Sequence, residues 1–270
     1  MIKGLYTAYT GMINQMERLD VMTNNLANSD TNGYKSEFAT TQSFDDVYAY
    51  KVKDLTESVT GYKPKYLGEI NLGVKIGETY TDYSQGSLRE TGNTYDLALS
   101  SEGFFAIAFT NDAGETSMKL TRDGAFTVDS DGYLRTKDGD YVLSQAAALA
   151  GNAGTAGYIQ LSTTAAETTI DRSGTIWQDG VAVAQIGVID VDNYDYLEKY
   201  GENMYNIVDG GNIVDSEAEV YQGYLETSNV QVVNNMVDMI VIARAYESNQ
   251  KLIQTIDSMT EISVSQVGKL

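Results

Sequence analysis

Apolar positions at the two ends of this chain recur with a helical period, and those between them do not. Leu5, Tyr9, Met12, Met16, Leu19, Thr23 and Leu26 step 4-3-4-3-4-3. Near the other end Val232, Met236, Met239, Ala243 and Tyr246 step 4-3-4-3, and Ile253 falls seven residues further on. A heptad of this kind gathers into one narrow stripe, which a coiled coil or a helix–helix seam buries. The pattern predicts a first helix over 2–27 and a last helix over 230–263. The run NSDTNGYK after Ala27 is dense in turn formers, and Asn32-Gly33 gives the chain a residue free to take positive φ. Thr227, Ser228 and Asn229 are candidate N-caps for the last helix. Gly4 and Gly11 lie one heptad apart. They read either as an approach face for a neighbouring helix or as tolerated glycines, at about 1 kcal/mol each relative to alanine. Thr23 and Gln250, polar residues on the seams, read either as register markers or as tolerated positions.

The middle has a different punctuation. Short β-forming runs at 104–109, 118–122, 125–129, 133–137 and 141–144 are separated by Asp-Gly pairs at 123–124, 131–132 and 138–139. Asp-Gly between such runs is a hairpin signal. Strands resume at 168–171, 175–178 and 181–191. Short strands are also expected at 72–76 and 79–83, a loop or short helix at 146–157, and one or two helical turns at 194–201. The segment 44–67 holds the only proline, Pro64, and has no strong period. The fold class is therefore α+β: long terminal helices that pair as a coiled-coil-like core, with a β-rich middle. The expected division is 1–35 plus 225–270 as a helical assembly core, 36–94 plus 205–224 as an extended connecting region, and 95–204 as a β-rich outer domain. Residues 36–224 are expected to fold alone.

Charge sharpens this division. Eighteen cations against 38 anions give −20. Residues 1–35 are neutral and 225–270 carry −2, so the middle carries −18. Near-neutral ends suit packing beside copies of themselves, and an acidic middle suits solvent. The balance argues against nucleic acid and anionic membrane as partners. The absence of cysteine and histidine excludes disulfides, zinc–thiolate sites and histidine acid–base chemistry. The first residues lack the apolar core of a secretory signal, and no apolar run reaches the roughly 18 residues of a spanning helix. Asp129, Asp131 and Gly132 read as a turn rather than a calcium loop, because position twelve is Asp140 and not glutamate. Glycines 151, 154 and 157 lack the spacing of a phosphate cradle. The many carboxylates read as solvated surface rather than a glycosidase pair. No catalytic residue, cofactor, metal ligand or small-molecule substrate is nominated.

Several segments carry a resemblance. NNLANSDTNGYK at 24–35 resembles the N-terminal signature of flagellar axial proteins, and QGYLETSNV at 222–230 with RAYESN at 244–249 resembles the C-terminal one. EGFFAI at 102–107 and TRDGAF at 121–126 are similar to the rod and hook group. The length, with QGSLRETGNTYDLAL at 85–99, resembles the proximal and distal rod proteins.

The resemblance implies a non-enzymatic subunit of the bacterial flagellar basal body, exported without a cleaved signal through the flagellar type III channel. It implies that the terminal helices line the core of a tube acting as drive shaft between motor ring and hook. Implied partners are copies of itself, other rod subunits, the hook and the export apparatus. It also places at 44–67 the segment that stiffens the rod in the distal protein. The expected assembly interface is Leu5, Tyr9, Met12, Met16, Leu19, Leu26, Val232, Met236, Met239, Ala243, Tyr246 and Ile253. Asn25, Asn28, Thr31, Gly33 and Tyr34 form the expected turn from core helix to outer domain. The rival reading is a secreted β-rich carbohydrate-binding or adhesive protein.

Overall fold

Ile2–Ala27 is a single α-helix, α1, and the chain leaves it at the turn formers that follow. The computed structural model describes residues 2–51, 65–111, 113–165, 167–201 and 203–267. Pro64 and the centre of the 44–67 segment lie outside the described residues. Gln145–Leu149 is a short helix, α2. The last helix, α3, spans Val232–Ile262 and runs on into a π turn at Ser263–Val267. Its N-cap is Gln231, without a side-chain bond, rather than any of the three expected caps. Those residues are engaged elsewhere. Thr227 donates to the Ser87 carbonyl through both its backbone N and its Oγ1, and Asn229 Nδ2 donates to Ser84 O.

The chain divides into two units. One comprises Met1–Ala27, Glu37–Asp82 and Gln231–Leu270. In it α1 packs on α3 and on the antiparallel pair Glu37–Ser43 and Val74–Thr81. A Cβ on Gly4 would meet Ile256, and one on Gly11 would meet the Asn249 amide at 3.1 Å. The two glycines thus face α3, and the helices run antiparallel. Val47–Lys51 and Lys65–Ile70 form a second antiparallel pair, with Tyr66 against Tyr48 and Tyr50.

The other unit comprises Asn28–Ser36 and Tyr83–Val230. Its largest sheet has nine strands, and Phe104–Thr110 lies inside it between Thr116–Thr121 and Tyr141–Val142. Successive residues of a strand point to opposite faces. Phe104, Ala106 and Ala108 accordingly enter one apolar cluster with Leu120, Ile189 and Tyr205, while Phe105 enters another with Phe126, Leu134 and Val142. A strand buried on both faces explains why FFAIAF reads as a continuous apolar run rather than an alternating one. The expected strand at 181–191 is two, Val181–Gln185 and Val188–Val191, and they enter different sheets. Val74–Thr81 is one strand where two short ones were expected. The expected helical turns at 194–201 are a single 3-10 turn, Tyr194–Tyr196, followed by the strand Leu197–Gly201.

The unit boundaries differ from those the sequence suggests, because they follow pairings between segments far apart in the chain. Asn28–Ser36 belongs with the β-strands: Gly33 N donates to Glu226 O and Ser36 N to Asn229 Oδ1, both at 2.8 Å. Residues 205–224 are not a connector. Met204–Ile207 pairs within the large sheet, and Val220–Gln222 pairs with Leu97–Leu99. Glu37–Asp82 groups with the helices.

This division defines a second fragment to set beside the expected 36–224. A fragment of residues 28–230 should unfold cooperatively in urea. One of residues 36–224 lacks Lys35, Leu225 and Glu226 and should be less stable by roughly 3 kcal/mol or more. Circular dichroism melts of the pair measure this, and equal midpoints would show that the flanking segments add nothing.

Candidate assembly interface

The signature turn opens on a side chain that takes the place of a backbone partner. Asn25, at the end of α1, is fully buried. Its Nδ2 donates to Glu37 O at 2.7 Å and its Oδ1 accepts from Glu37 N at 2.9 Å. One amide thus stitches the helix end to the first strand of its own unit. Beyond it, Asn28 accepts from Thr31 twice, at its carbonyl from N and at its Oδ1 from Oγ1. Gly33 follows with φ +65°, and a Cβ there would lie 2.4 Å from the Arg122 carbonyl carbon. Only glycine meets both demands. Tyr34 is buried, and the Lys199 ammonium lies 4.5 Å from its ring centroid.

Directly after this turn lies a buried ionic cluster. Lys35 Nζ donates to Glu226 Oε1 at 2.6 Å and to Ser84 O at 2.8 Å. Glu226 Oε1 also accepts from Gly86 N at 2.9 Å. Arg122 Nε lies 3.3 Å from Glu226 Oε2, and its other end donates to Ser101 O at 2.7 Å. The Lys35 and Glu226 side chains are each 1% exposed, and that of Arg122 is 2% exposed. Removing three charges from water costs several kcal/mol per ion; mutual attraction and the hydrogen bonds at Glu226 Oε1 offset it, while Glu226 Oε2 meets Arg122 as an ion pair without a hydrogen bond. Any packing that separates the three leaves a bare charge in the interior, so the cluster selects one arrangement of these segments. Each residue comes from a segment that stood out in the sequence: 24–35, 121–126 and 222–230. None was nominated, because lysine, arginine and glutamate in turn- and strand-like runs read as solvated, and nothing local signals their convergence.

The helices place the expected interface residues unevenly. On α3 the buried and half-buried positions are Asn235, Met239, Ile242, Ala243, Ala245, Tyr246, Asn249, Ile253 and Ile256, and all but the two alanines fall in steps of four and three. Met239, Ala243, Tyr246 and Ile253 of the expected set are half-buried, while Val232 and Met236 are exposed. This α3 stripe passes through Asn235 and Asn249, polar residues that an apolar pattern passes over. On α1 the fully buried side chains are Ala8, Thr10, Asn14, Met22 and Asn25. Leu5, Tyr9 and Met16 are exposed, and Met12, Leu19 and Leu26 are half-buried. Around α3 a second apolar set, Val233, Met236, Val237, Ile240 and Val241, lies on the side opposite the buried stripe and is 49–74% exposed.

Asp129, Asp131 and Gly132 form a hairpin turn: Gly132 N donates to Asp129 O, and the Asp129 carboxylate pairs with Arg135 at 3.0 Å. Among the described residues no cluster of carboxylates has metal-binding geometry, and no helix is long and apolar enough to cross a membrane.

Three stretches match family models. Residues 5–35 match the model described as flagella basal body rod protein, 98–178 the flagellar hook protein FlgE/F/G D1 domain, and 221–266 the flagellar basal body rod FlgEFG protein C-terminal. Relatives match along nearly their whole length. The flagellar basal-body rod protein FlgG of Buchnera aphidicola (subsp. Schizaphis graminum) is 31% identical over 97% of this chain and 98% of its own. The flagellar basal-body rod protein FlgF of Caulobacter vibrioides is 30% identical with the same coverage. The flagellar hook-basal body complex protein FlhO of Bacillus subtilis is 28% identical over the whole of both chains.

Removing one partner from the ionic cluster should cost more than removing its charges together. Glu226→Ala leaves two buried cations and should lower unfolding free energy by about 3–5 kcal/mol. The triple variant Lys35→Met, Arg122→Met, Glu226→Met should lose less than that single change. Urea melts of the full chain read both. A Glu226→Ala loss under about 1 kcal/mol, the size of a surface pair, would mean the cluster is solvated.

Proposed function

The chain belongs to the flagellar basal-body rod protein family and is a structural subunit of the flagellar basal body, and on that premise we propose that α1 and α3 polymerise it, copy against copy, into the shaft that carries torque to the hook. The observation that carries this reading is the apolar surface left over after the two helices have packed on each other. Leu5, Tyr9 and Met16 on α1, and Val233, Met236, Val237, Ile240 and Val241 on α3, are exposed in the single chain. Soluble monomers rarely leave contiguous apolar stripes in water, and such stripes mark protein–protein contacts. In the assembled shaft the α1–α3 pairs form a coiled-coil-like core. Neighbouring copies there cover the exposed seam positions and complete burial of Met12, Leu19, Leu26, Met239, Ala243, Tyr246 and Ile253.

The division of labour follows the charge. Near-neutral helices form the assembly core, and the strand-rich unit carries most of the net charge, whose self-repulsion opposes random aggregation. Torque is then shared among many contacts, each contributing on the order of 25 cal/mol per Å² of apolar area buried. The partners are copies of itself, other rod subunits, the hook and the export apparatus. The role is mechanical rather than enzymatic and needs no cofactor, small-molecule substrate or nucleic acid. Nothing in the fold favours the carbohydrate-binding reading.

Met12→Asp and Met239→Asp each put a carboxylate on a seam position, and an unpaired buried charge costs several kcal/mol. Because the cost recurs in every subunit, cells carrying either variant should export the protein yet lack rods and fail to swim. Glu17→Lys on an exposed position is the control and should leave motility close to normal. Export, assembly and swimming by both aspartate variants would remove the helical-core reading.

A further inference from the structure

The chain holds nine methionines and no cysteine, so the thioether is its only sulfur chemistry. Met1 lies outside the described residues, and the others divide by exposure. In the strand-rich unit Met204 is 4% exposed, and Met118 is half-buried against the apolar cluster of the large sheet. In the helical unit Met22 is buried, and Met12 and Met239 are half-buried. Met16, Met236 and Met259 are 50%, 49% and 55% exposed. Every exposed methionine among the described residues therefore belongs to α1 or α3.

Each of the three lies among exposed apolar residues at helical spacing. Met16 continues Leu5 and Tyr9, Met236 lies with Val233, Val237 and Ile240, and Met259 lies with Leu252 and Ile262. An unbranched, polarisable side chain adapts to an irregular contact, which suits a surface that awaits a neighbour. The same sulfur is open to oxidation where solvent reaches it. Its lone pair attacks one oxygen of hydrogen peroxide. An S–O bond forms, the O–O bond breaks, sulfur gives up two electrons, and the second oxygen leaves with both protons as water. The product is a sulfoxide, polar and chiral where the thioether was apolar. Shut into an apolar contact without a donor, its oxygen carries a desolvation cost that the thioether does not.

We propose that Met16, Met236 and Met259 are peroxide-modifiable sites of the unassembled subunit, and that their sulfoxides withhold it from polymer until reduction restores the thioether. This rests on the polymerisation through α1 and α3 proposed above. Peptide mapping by mass spectrometry follows the full-length protein in hydrogen peroxide. In the dilute subunit the three should oxidise severalfold faster than Met22 and Met204, and in pelleted polymer they should slow severalfold. The treated subunit should keep its far-UV circular dichroism yet need about tenfold or more concentration to polymerise, the equivalent of 1.4 kcal/mol. Methionine sulfoxide reductases, one for each sulfoxide epimer, should restore the original threshold. In the triple variant Met16→Leu, Met236→Leu, Met259→Leu the ratio of treated to untreated threshold should fall close to one. Equal oxidation of buried and exposed methionines overturns the proposal, as does an unchanged threshold after treatment or one that reductase leaves raised. So does a lost helical signal, which would put the lesion in the fold, or a triple variant as sensitive as wild type, which would put it at another residue. All of these leave the helical core standing, provided that untreated wild-type protein polymerises. If untreated protein forms no polymer at any concentration, both readings fall.

Discussion

Glu226 holds two cations out of reach of water, and the closure of the strand-rich unit depends on that arrangement. Lys35 arrives from the turn after α1, Arg122 from the hairpin that follows the central strand, and Glu226 from the last strand before α3. The three are separated by 87 and 104 residues along the chain, yet all three side chains are essentially buried. A buried ion cluster adds little net stability compared with apolar packing, and its penalty for misassembly is large. It therefore acts on specificity: the segments that flank the two terminal helices must lie side by side, or a charge is stranded. The backbone bonds from Gly33 to Glu226 and from Asn229 to Tyr34 follow from the same closure.

This places the ends of the strand-rich unit under a single condition. Both entry and exit segments must be present before the cluster is complete. Gly33 permits the close approach, because any side chain there would collide with the Arg122 backbone. Asn25, on the helical side, fastens α1 to the strand that follows with two bonds to one residue, Glu37. Within the signature stretch the Asn25 amide completes backbone pairing, while the Asn28 and Asn32 side chains accept from the Thr31 hydroxyl and the Arg89 guanidinium.

The helical unit has the opposite character. Its helix seam mixes small and polar residues, among them Gly4, Gly11 and Asn249, with apolar ones such as Ile242 and Ile256, and leaves Leu5, Tyr9, Met16, Val233, Val237 and Val241 exposed. Such an economy suits a subunit that reaches full burial only among its neighbours. The −18 of the middle then serves to keep copies soluble.

The ends of the chain were legible in the sequence because helix periodicity and turn chemistry are local. The span of α1, the hairpins at the Asp-Gly turns and the family signatures all follow from residues within a few positions of one another. The face each helix turns toward the other was not legible. On α3 two apolar stripes compete, and the stripe that packs on α1 runs through Asn235 and Asn249, which no hydrophobic pattern selects. The unit boundaries were hidden for the same reason, since Val220–Gln222 becomes structural only when it pairs with Leu97–Leu99. Lys35, Arg122 and Glu226 were each visible as a charge in a recognisable segment. That they meet in the interior was decided by the tertiary fold alone, because a charge becomes tolerable there only through partners brought from elsewhere in the chain.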